Sequence, residues 1–223
     1  MRRVLALLLC LCFVCRPVFA EPAQKYVVLT FDDGPSGRFT RKLLEGLEER
    51  QIHATFLLCG YRIAENPALA ERILGEGHEI GLHGYSHKRM SRMSKAEIKK
   101  ELSDTMALLP EEAEVAFVRP PGGMVSPAVQ QAARELGLGI LNWSVDPRDW
   151  ETHDAVAVER AVIGDVQDGD VILLHDMCDS SVEAALFIVD ALLEDGYCFV
   201  TASELARLRN ITPEPGRIYK KFP

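Results

Sequence analysis

Residues 26–35 read YVVLTFDDGP, an apolar stretch that ends in two aspartates and a Gly-Pro turn. Valine, tyrosine and phenylalanine favour extended structure, whereas glycine and proline end it. Apolar side chains then recur at helical spacing between 39 and 47, and a second apolar stretch follows at 54–58. This order predicts a strand, a helix and a strand, the repeating unit of a parallel sheet.

The same alternation continues along the chain. Five further helical patterns are each followed by a predicted strand, at 79–82, 115–118, 140–145, 171–174 and 197–200. Ser94 and Glu97 have the spacing of a capping box, which marks one helix start. Seven strands and six helices in alternation predict an α/β domain with a parallel sheet, either closed into a barrel or open and doubly wound.

The N-terminal segment has the composition of an export signal. Arg2 and Arg3 precede an apolar stretch at 4–14, and Ala20 ends a run suited to signal-peptidase cleavage. An uncleaved anchor is the weaker alternative, because a helix needs about 20 apolar residues to span a bilayer. We therefore expect residues 1–20 to be a signal peptide and the protein to be secreted or associated with the cell wall, with no stable membrane span after cleavage.

The remaining chain is predicted to form a single domain. Residues 21–208 contain all seven strands, and residues 209–223, which are rich in proline, are predicted to be a C-terminal tail. The net charge of −8 becomes −11 without the three arginines of the signal segment, since 22 basic side chains then face 33 acidic ones. So acidic a surface argues against nucleic acid or an anionic membrane as the main partner.

Three cysteines follow the signal segment: Cys59, Cys178 and Cys198. Because their number is odd, at most one internal disulfide can form, and the fold cannot depend on disulfides. Small buried hydrophobic residues are one interpretation of Cys59 and Cys198, which lie in apolar runs. Whether Cys178 and Cys198 pair is left open by the sequence.

Chemically reactive side chains follow five of the predicted strands. The carboxyl ends of parallel strands meet on one face of an α/β fold, so these side chains are expected to open onto that face. In chain order they are Asp32 with Asp33, His83 with His87, Arg119, Asp149 with Trp150, and His175. Taken singly, each has an ordinary structural interpretation, as a turn residue, a surface cation, a helix start or a core side chain. Their order along successive strands favours a shared site.

Asp33, His83 and His87 have the composition of a hydrolytic metal site. Two histidines four residues apart can also lie on a surface without a ligand. One carboxylate and two imidazoles, with positions open for water and substrate, are typical of catalytic zinc. Asp32 is then free to act on water, and His175, at the rim of a buried strand, can deliver a proton.

These segments resemble the polysaccharide deacetylase family, metal-dependent esterases and amidases that remove acetyl groups from chitin, peptidoglycan and xylan. The resemblance covers about residues 26–205 and rests on the ordered segments TFDDGP, HGYSH, RPPGG, DPRDW and LLHD. It implies an irregular, incompletely closed (β/α) barrel, which agrees with the seven predicted strands, and makes residues 21–208 the catalytic domain. It also implies a divalent metal, zinc first and cobalt or another divalent ion as the alternative.

The resemblance implies a role for each motif residue. The implied catalytic residues are Asp32 as general base, Arg119, which orients it, His175 as general acid, and Asp149, which tunes that acid. The implied metal ligands are Asp33, His83 and His87. The implied substrate-binding groups are the Gly122 N–H at the oxyanion, Trp150 on the groove wall, and Leu173 beneath the acetyl methyl.

Two positions depart from the family pattern. Gly84 stands where threonine or serine is usual, and without that hydroxyl we expect the loop between the histidines to be freer. Gly122 stands where tyrosine is frequent, so the N–H is kept while a ring is lost from the groove.

The predicted function is N-deacetylation of β-1,4-linked N-acetylglucosamine, in peptidoglycan or chitin-like oligomers, by a secreted metal-dependent enzyme. One alternative is an O-acetyl esterase that acts on xylan or a similar glycan. Another is a carbohydrate-binding protein that kept the fold and lost turnover. His175 argues against the binding protein, since a binder has no use for an acid placed across from a metal.

Overall fold

A computed structural model describes residues 24–223, so the predicted signal peptide lies outside the described residues. The strands are β1 Lys25–Asp32, β2 Thr55–Leu58, β3 Glu79–Leu82, β4 Phe117–Val118, β5 Gly139–Leu141, β6 Val171–His175, β7 Tyr197–Phe199 and β8 Ile218–Tyr219. The α-helices are α1 Arg38–Glu49, α2 Gly60–Glu65, α3 Pro67–Gly75, α4 Lys95–Met106, α5 Pro127–Glu135, α6 Asp149–Thr152, α7 Ala155–Asp165, α8 Asp179–Glu194 and α9 Ala202–Leu208. Between residues 24 and 223, no helix is both long and apolar enough to cross a membrane.

The strands form one curved parallel sheet in the order β6-β1-β2-β3-β4-β5-β8, with β7 paired to the start of β1. Beyond β5 the chain returns to β6, where Val145 forms a bridge with Ile172 and its N–H donates to the Val171 carbonyl at 3.2 Å. This bridge joins the two edges of the sheet over a short length. The single domain is therefore the irregular, incompletely closed α/β barrel that the sequence predicted.

The alternation of side chains along β1 separates two apolar layers. Val27, Leu29 and Phe31 pack outward in the cluster that includes α1 and α8, whereas Val28 belongs to a cluster inside the barrel. Because successive side chains of a strand point to opposite faces, the inward row that starts at Val28 continues through Thr30 to Asp32. We call the carboxyl end of the strands, where Asp32 lies, the mouth, and the opposite end the base.

Most of the differences from the predicted elements occur where an element is short. The fifth strand ends at Leu141, earlier than predicted, because the chain leaves β5 there and pairs with β6 only at Val145. Helices α2, α6 and α9 were not predicted, since four to seven residues show little periodicity. The capping box was correct: Ser94 accepts from the Glu97 N–H, and the Glu97 carboxylate accepts from the Ser94 N–H.

The C-terminal segment differs from the predicted tail, because it packs on the base of the barrel. Ile218–Tyr219 pairs with β5, and Phe222 is fully buried with its N–H bonded to the Gly169 carbonyl at 2.8 Å. The rings of Tyr219 and Phe222 stack at 5.5 Å between centroids. The prolines of this segment flank the strand instead of interrupting it, and two residues are too few to show an alternation.

The three cysteines of the described chain are free thiols. Cys178 directly precedes α8, and Cys198 lies in β7, which follows that helix. The 16 residues of α8 span about 24 Å at 1.5 Å per residue, so the two thiols lie at opposite ends of the helix. Cys178 and Cys198 therefore do not form a disulfide in this structure.

Candidate active site

The predicted site residues converge at the mouth of the barrel. In the sheet register Asp32 lies beside His175 of β6 on one side and Leu57 of β2 on the other. A cavity of about 390 Å³ opens there, and the three predicted metal ligands line it with Asp32, His175 and the three predicted binding residues. Arg119 and Asp149 are buried behind this lining. The topology thus brings all ten predicted residues into one place.

Asp33, His83 and His87 form a compact cluster of ligand atoms. Asp33 Oδ1 lies 2.9 Å from His87 Nε2 and 3.3 Å from His83 Nε2. One ligand atom from each residue lies within 4.8 Å of the other two. His83 Nδ1 is 2.7 Å from the carbonyl oxygen of Arg119, which can only accept. His83 Nδ1 therefore carries the ring proton, and Nε2 presents its lone pair to the cluster.

The cluster contains a buried acceptor that the protein does not satisfy. Among residues 24–223, Asp33 Oδ1 has no hydrogen-bond partner, although two imidazole nitrogens lie close to it. Buried polar atoms are normally bonded, so converging lone pairs without a partner indicate a place for a positive charge. One carboxylate and two imidazoles fit a divalent cation such as zinc or cobalt, and three protein ligands leave room for water and substrate.

Two of the three candidate ligands have a strained backbone. Asp33 has a φ of 73° and His87 a φ of 55°, in the left-handed region that side chains with a Cβ seldom adopt. Such a conformation costs about 1–3 kcal/mol and persists only where the surroundings enforce it. The structure therefore has to hold both turns in place.

The Asp33 turn is held by Asp176, which sequence reasoning did not single out. Thr40 Oγ1 donates to the Asp176 carboxylate, and Ser36 Oγ donates to the Asp176 carbonyl. Gly34 packs so closely that a Cβ there would lie 2.7 Å from the carboxylate oxygens. Asp176 is fully buried, and burial raises its pKa to about 6. Its place directly after His175 was the only sequence signal for it.

Arg119 fixes one oxygen of Asp32. The guanidinium is fully buried, and Nη1 donates to Asp32 Oδ1 at 2.7 Å and to Thr30 Oγ1 at 2.9 Å. Nε donates to the Leu141 carbonyl at 2.6 Å and Nη2 to the Asn142 carbonyl at 3.1 Å. Asp32 Oδ2 remains on the side of His83, 3.7 Å from Nε2.

His175 is oriented by Asp149. The ring Nδ1 lies 2.8 Å from Asp149 Oδ1, and the His175 N–H donates to Asp149 Oδ2 at 2.9 Å. Burial alone would lower the pKa of His175, but the hydrogen bond and the charge of Asp149 outweigh it and raise the pKa to about 9. The imidazole is thus protonated at neutral pH and keeps its Nε2–H for a group in the cavity.

The walls of the cavity combine the predicted binding residues with a ring that was not predicted. Gly122 has a φ of 71°, and in the described part of the chain nothing lies within 4 Å of where its Cβ would be. Trp150 is 52% exposed at the rim. Trp143 also lines the cavity and packs on Gly123, where a Cβ would lie 2.5 Å from the ring. It was missed because residues 140–145 were interpreted as one uninterrupted strand.

Gly84 had led us to expect a weakly held loop between the two histidines, but hydrogen bonds hold this loop in place. Gly84 adopts a φ of 83°, a conformation that favours glycine. The Glu101 carboxylate accepts from the Tyr85 N–H at 2.8 Å and from the Ser86 N–H at 2.7 Å. Hydrogen bonds from α4 therefore replace the missing hydroxyl.

Comparisons with known proteins agree with this fold and site. A family model described as polysaccharide deacetylase matches residues 20–141. A peptidoglycan-N-acetylglucosamine deacetylase of Bacillus cereus is 35% identical over 193 residues, which cover 84% of this chain and 91% of the relative. A peptidoglycan-N-acetylmuramic acid deacetylase of Bacillus subtilis is 34% identical over 191 residues, which cover 85% of this chain and 40% of that longer relative.

A solved structure shares the whole architecture. A family 4 acetyl xylan esterase from Clostridium thermocellum, in complex with a cobalt ion, superimposes with a TM-score of 0.83 at 35% identity, covering 89% of this chain and 100% of that one. The fold and the named relatives define a hydrolase that acts on acetylated carbohydrate. The chain belongs to the polysaccharide deacetylase family, which confirms the resemblance seen in the sequence.

Proposed function

We propose that the protein is a metal-dependent deacetylase that hydrolyses the N-acetyl groups of N-acetylglucosamine in peptidoglycan or chitin-like oligomers. The observation that carries this proposal is the meeting, in one cavity, of a three-ligand cluster, a carboxylate anchored by one oxygen, and an imidazole oriented by a buried carboxylate. The similarity to a peptidoglycan-N-acetylglucosamine deacetylase over 91% of that relative's length favours peptidoglycan as the first substrate to test.

Amide hydrolysis requires an activated carbonyl, a deprotonated water and a protonated leaving amine. Asp33, His83 and His87 would hold the divalent cation, zinc first and cobalt second. When bound, that cation supplies Lewis acidity toward the acetyl oxygen and toward water. Deprotonation of the water and protonation of the leaving amine are left to residues on either side of the cluster.

Asp32 is suited to take the proton from the attacking water. Arg119 occupies Oδ1, so Oδ2 is the oxygen that remains for this proton. Leu173 offers an apolar contact for the acetyl methyl, and the Gly122 N–H can donate to the oxygen on which negative charge develops. Each of these groups lines the same cavity, so the amide is oriented before the carbon is attacked.

His175 is suited to protonate the leaving nitrogen. Its Nδ1 is engaged by Asp149, so the proton that it gives up is the one on Nε2. As that proton moves to the amine and the C–N bond breaks, the imidazole becomes neutral. Asp149 keeps the ring in its orientation and favours the imidazolium that exists before transfer.

Acetate release tests the proposed function. The purified protein is incubated with N-acetylglucosamine oligomers, peptidoglycan and acetylated xylan, each with and without a chelator and with zinc restored. We expect acetate from the first two substrates, loss of release on chelation, and recovery with zinc. Release from xylan alone would favour the esterase, for which the Clostridium structure is the specific argument. Undiminished release in chelator would contradict the metal mechanism, and no release from any substrate would favour a binding protein.

We also propose that the protein is exported and acts outside the cytoplasm, on acetylated glycan and not on nucleic acid. The composition of residues 1–20 and the extracytoplasmic location of peptidoglycan support this proposal. Mass spectrometry of the protein from the culture medium and the cell wall should find a mature chain that begins after Ala20. Recovery of the intact chain from the cytoplasm alone would contradict it.

A further inference from the structure

Glu101 of α4 binds the turn that connects the two histidines of the ligand cluster. Its Oε2 accepts from the N–H groups of Tyr85 and Ser86, and its Oε1 accepts from Ser86 Oγ at 2.8 Å. Within the described residues, Glu101 forms no ion pair with a lysine, arginine or histidine. All three hydrogen bonds that this half-buried carboxylate accepts therefore come from one turn.

The carbonyls of the same turn are held from the opposite side. The Gly60 N–H donates to the Gly84 carbonyl at 2.9 Å, and the Tyr61 N–H donates to the Tyr85 carbonyl at 3.0 Å. Gly84 packs closely against Met90, since a Cβ at Gly84 would lie 2.7 Å from Met90 Cε. The turn is thus clamped between the start of α2, which binds its carbonyls, and Glu101, which binds its N–H groups.

The two histidines depend on this clamp to different degrees. His83 directly follows β3, is buried, and has its Nδ1 fixed by the Arg119 carbonyl. The His87 side chain is 43% exposed, and its backbone has the left-handed φ of 55°. The position of His87 Nε2, 2.9 Å from Asp33 Oδ1, therefore depends on the turn that Glu101 holds.

We propose that Glu101 is a positioning residue for His87, and that its carboxylate sets the affinity of the Asp33, His83 and His87 cluster for a divalent cation. This inference rests on the proposed function, because it takes that cluster to be the cation site. An acceptor is required at this position because the N–H groups of Tyr85 and Ser86 can only donate. A Glu101→Ala variant removes both carboxylate oxygens and leaves these donors without their partner.

The test is a Co²⁺ titration of the apoprotein, followed by visible absorption of the bound ion. Outer-shell partners of metal ligands typically change metal affinity about 10–100-fold, so Glu101→Ala should raise the Kd for Co²⁺ by that factor. Asp104→Ala is the matched control: it removes the same charge from the same helix, where Asp104 pairs only with Lys100 among residues 24–223, and the Kd should not change. At saturating Zn²⁺ the rate of acetate release by Glu101→Ala should return toward that of the wild type.

Three outcomes separate this inference from the proposed function. A wild-type Kd in Glu101→Ala overturns the inference and leaves the proposed function standing. Failure of the wild-type apoprotein to bind Co²⁺ overturns the proposed function and the inference with it. If Glu101→Ala does not fold, Ser86→Ala takes its place, since it removes only the hydroxyl bond to Oε1. A Kd a few-fold above the wild type then supports the inference, and an unchanged Kd overturns it.

Discussion

Two carboxylates at opposite ends of the barrel, Glu79 at the base and Asp33 at the mouth, have opposite surroundings. Glu79 accepts from Thr55 Oγ1 at 2.9 Å and from both the N–H and the hydroxyl of Ser203. Burial raises the pKa of Glu79, while these hydrogen bonds oppose that rise. Asp33 Oδ1 is also buried, but in the described chain it has no hydrogen-bond partner and only the two imidazole nitrogens of the cluster beside it. A satisfied buried carboxylate joins elements together, whereas an unsatisfied one beside a cavity marks a place for a ligand.

The backbone shows the same difference. At the base, Gln51 and Asn210 have positive φ angles directly after helix ends, where a left-handed residue commonly terminates a helix. At the mouth, Asp33 and His87 have positive φ angles and are themselves the candidate ligands. Gln51 and Asn210 thus end helices, whereas Asp33 and His87 direct candidate ligand side chains into the cluster.

The largest effect is expected from Asp33→Asn. The amide removes the negative charge from the cluster, so acetate release should fall more than about 100-fold, beyond the range for outer-shell partners. Burial alone would raise the pKa of Asp33, but His83 and His87 outweigh it and hold that pKa well below its usual range, so the melting temperature of the apoprotein should fall when the charge is removed. Acetate assays and calorimetry check both results. A variant that keeps zinc and a tenth of the wild-type rate would show that Asp33 is not a ligand.

An intermediate effect is expected from Asp149→Asn, measured as a shift of the pH profile. The general acid works in its protonated form, so activity is lost as pH rises through the pKa of His175. In the apoprotein that pKa is about 9, and a bound dication nearby acts in the opposite direction, so the alkaline limb of kcat/KM is expected at or below pH 9. Removal of the Asp149 charge lowers the pKa and moves the limb to lower pH. If the alkaline limb does not move, the group that titrates there is not His175.

The same pair gives a linked prediction for stability. The pKa of His175 is raised from 6.5 to about 9, so its contribution to the free energy of unfolding is fully present below pH 6.5. That contribution is lost as pH rises through about 9. The difference in melting temperature between the wild type and Asp149→Asn should therefore shrink between pH 6.5 and 9, and a constant difference would count against this ion pair.

The smallest effect on activity is expected from Glu79→Gln at the base. The amide oxygen can still accept from Thr55 Oγ1 and the Ser203 N–H, and the Ser203 hydroxyl can accept from the new NH₂ group, so the loss is of charge-assisted hydrogen bonds and should cost about 1 kcal/mol. For a domain of this size, each kcal/mol lowers the melting temperature by about 2–4 °C. The rate of acetate release at 25 °C should equal that of the wild type. A lower rate of acetate release with an unchanged melting temperature would contradict the distinction between a structural carboxylate at the base and a functional one at the mouth.

The ligand cluster and the acid could be predicted from the sequence because parallel strands bring their carboxyl ends together whatever lies between them. Asp33, His83 and His175 each follow such a strand, so residue type and position together were sufficient. Glu101 and Asp176 could not be found in the same way, since their partners are distant along the chain: Glu101 binds backbone N–H groups, which have no sequence signature, and Asp176 binds the hydroxyls of Ser36 and Thr40. The two residues of β8 were likewise too few for a pattern.

Anomalous diffraction from crystals of the zinc-loaded protein is the most direct test of the central claim. The account predicts one strong zinc peak among Asp33 Oδ1, His83 Nε2 and His87 Nε2, in the cavity that Asp32 and His175 also line. A peak held by other residues, or no peak at this cluster with zinc in excess, would contradict it.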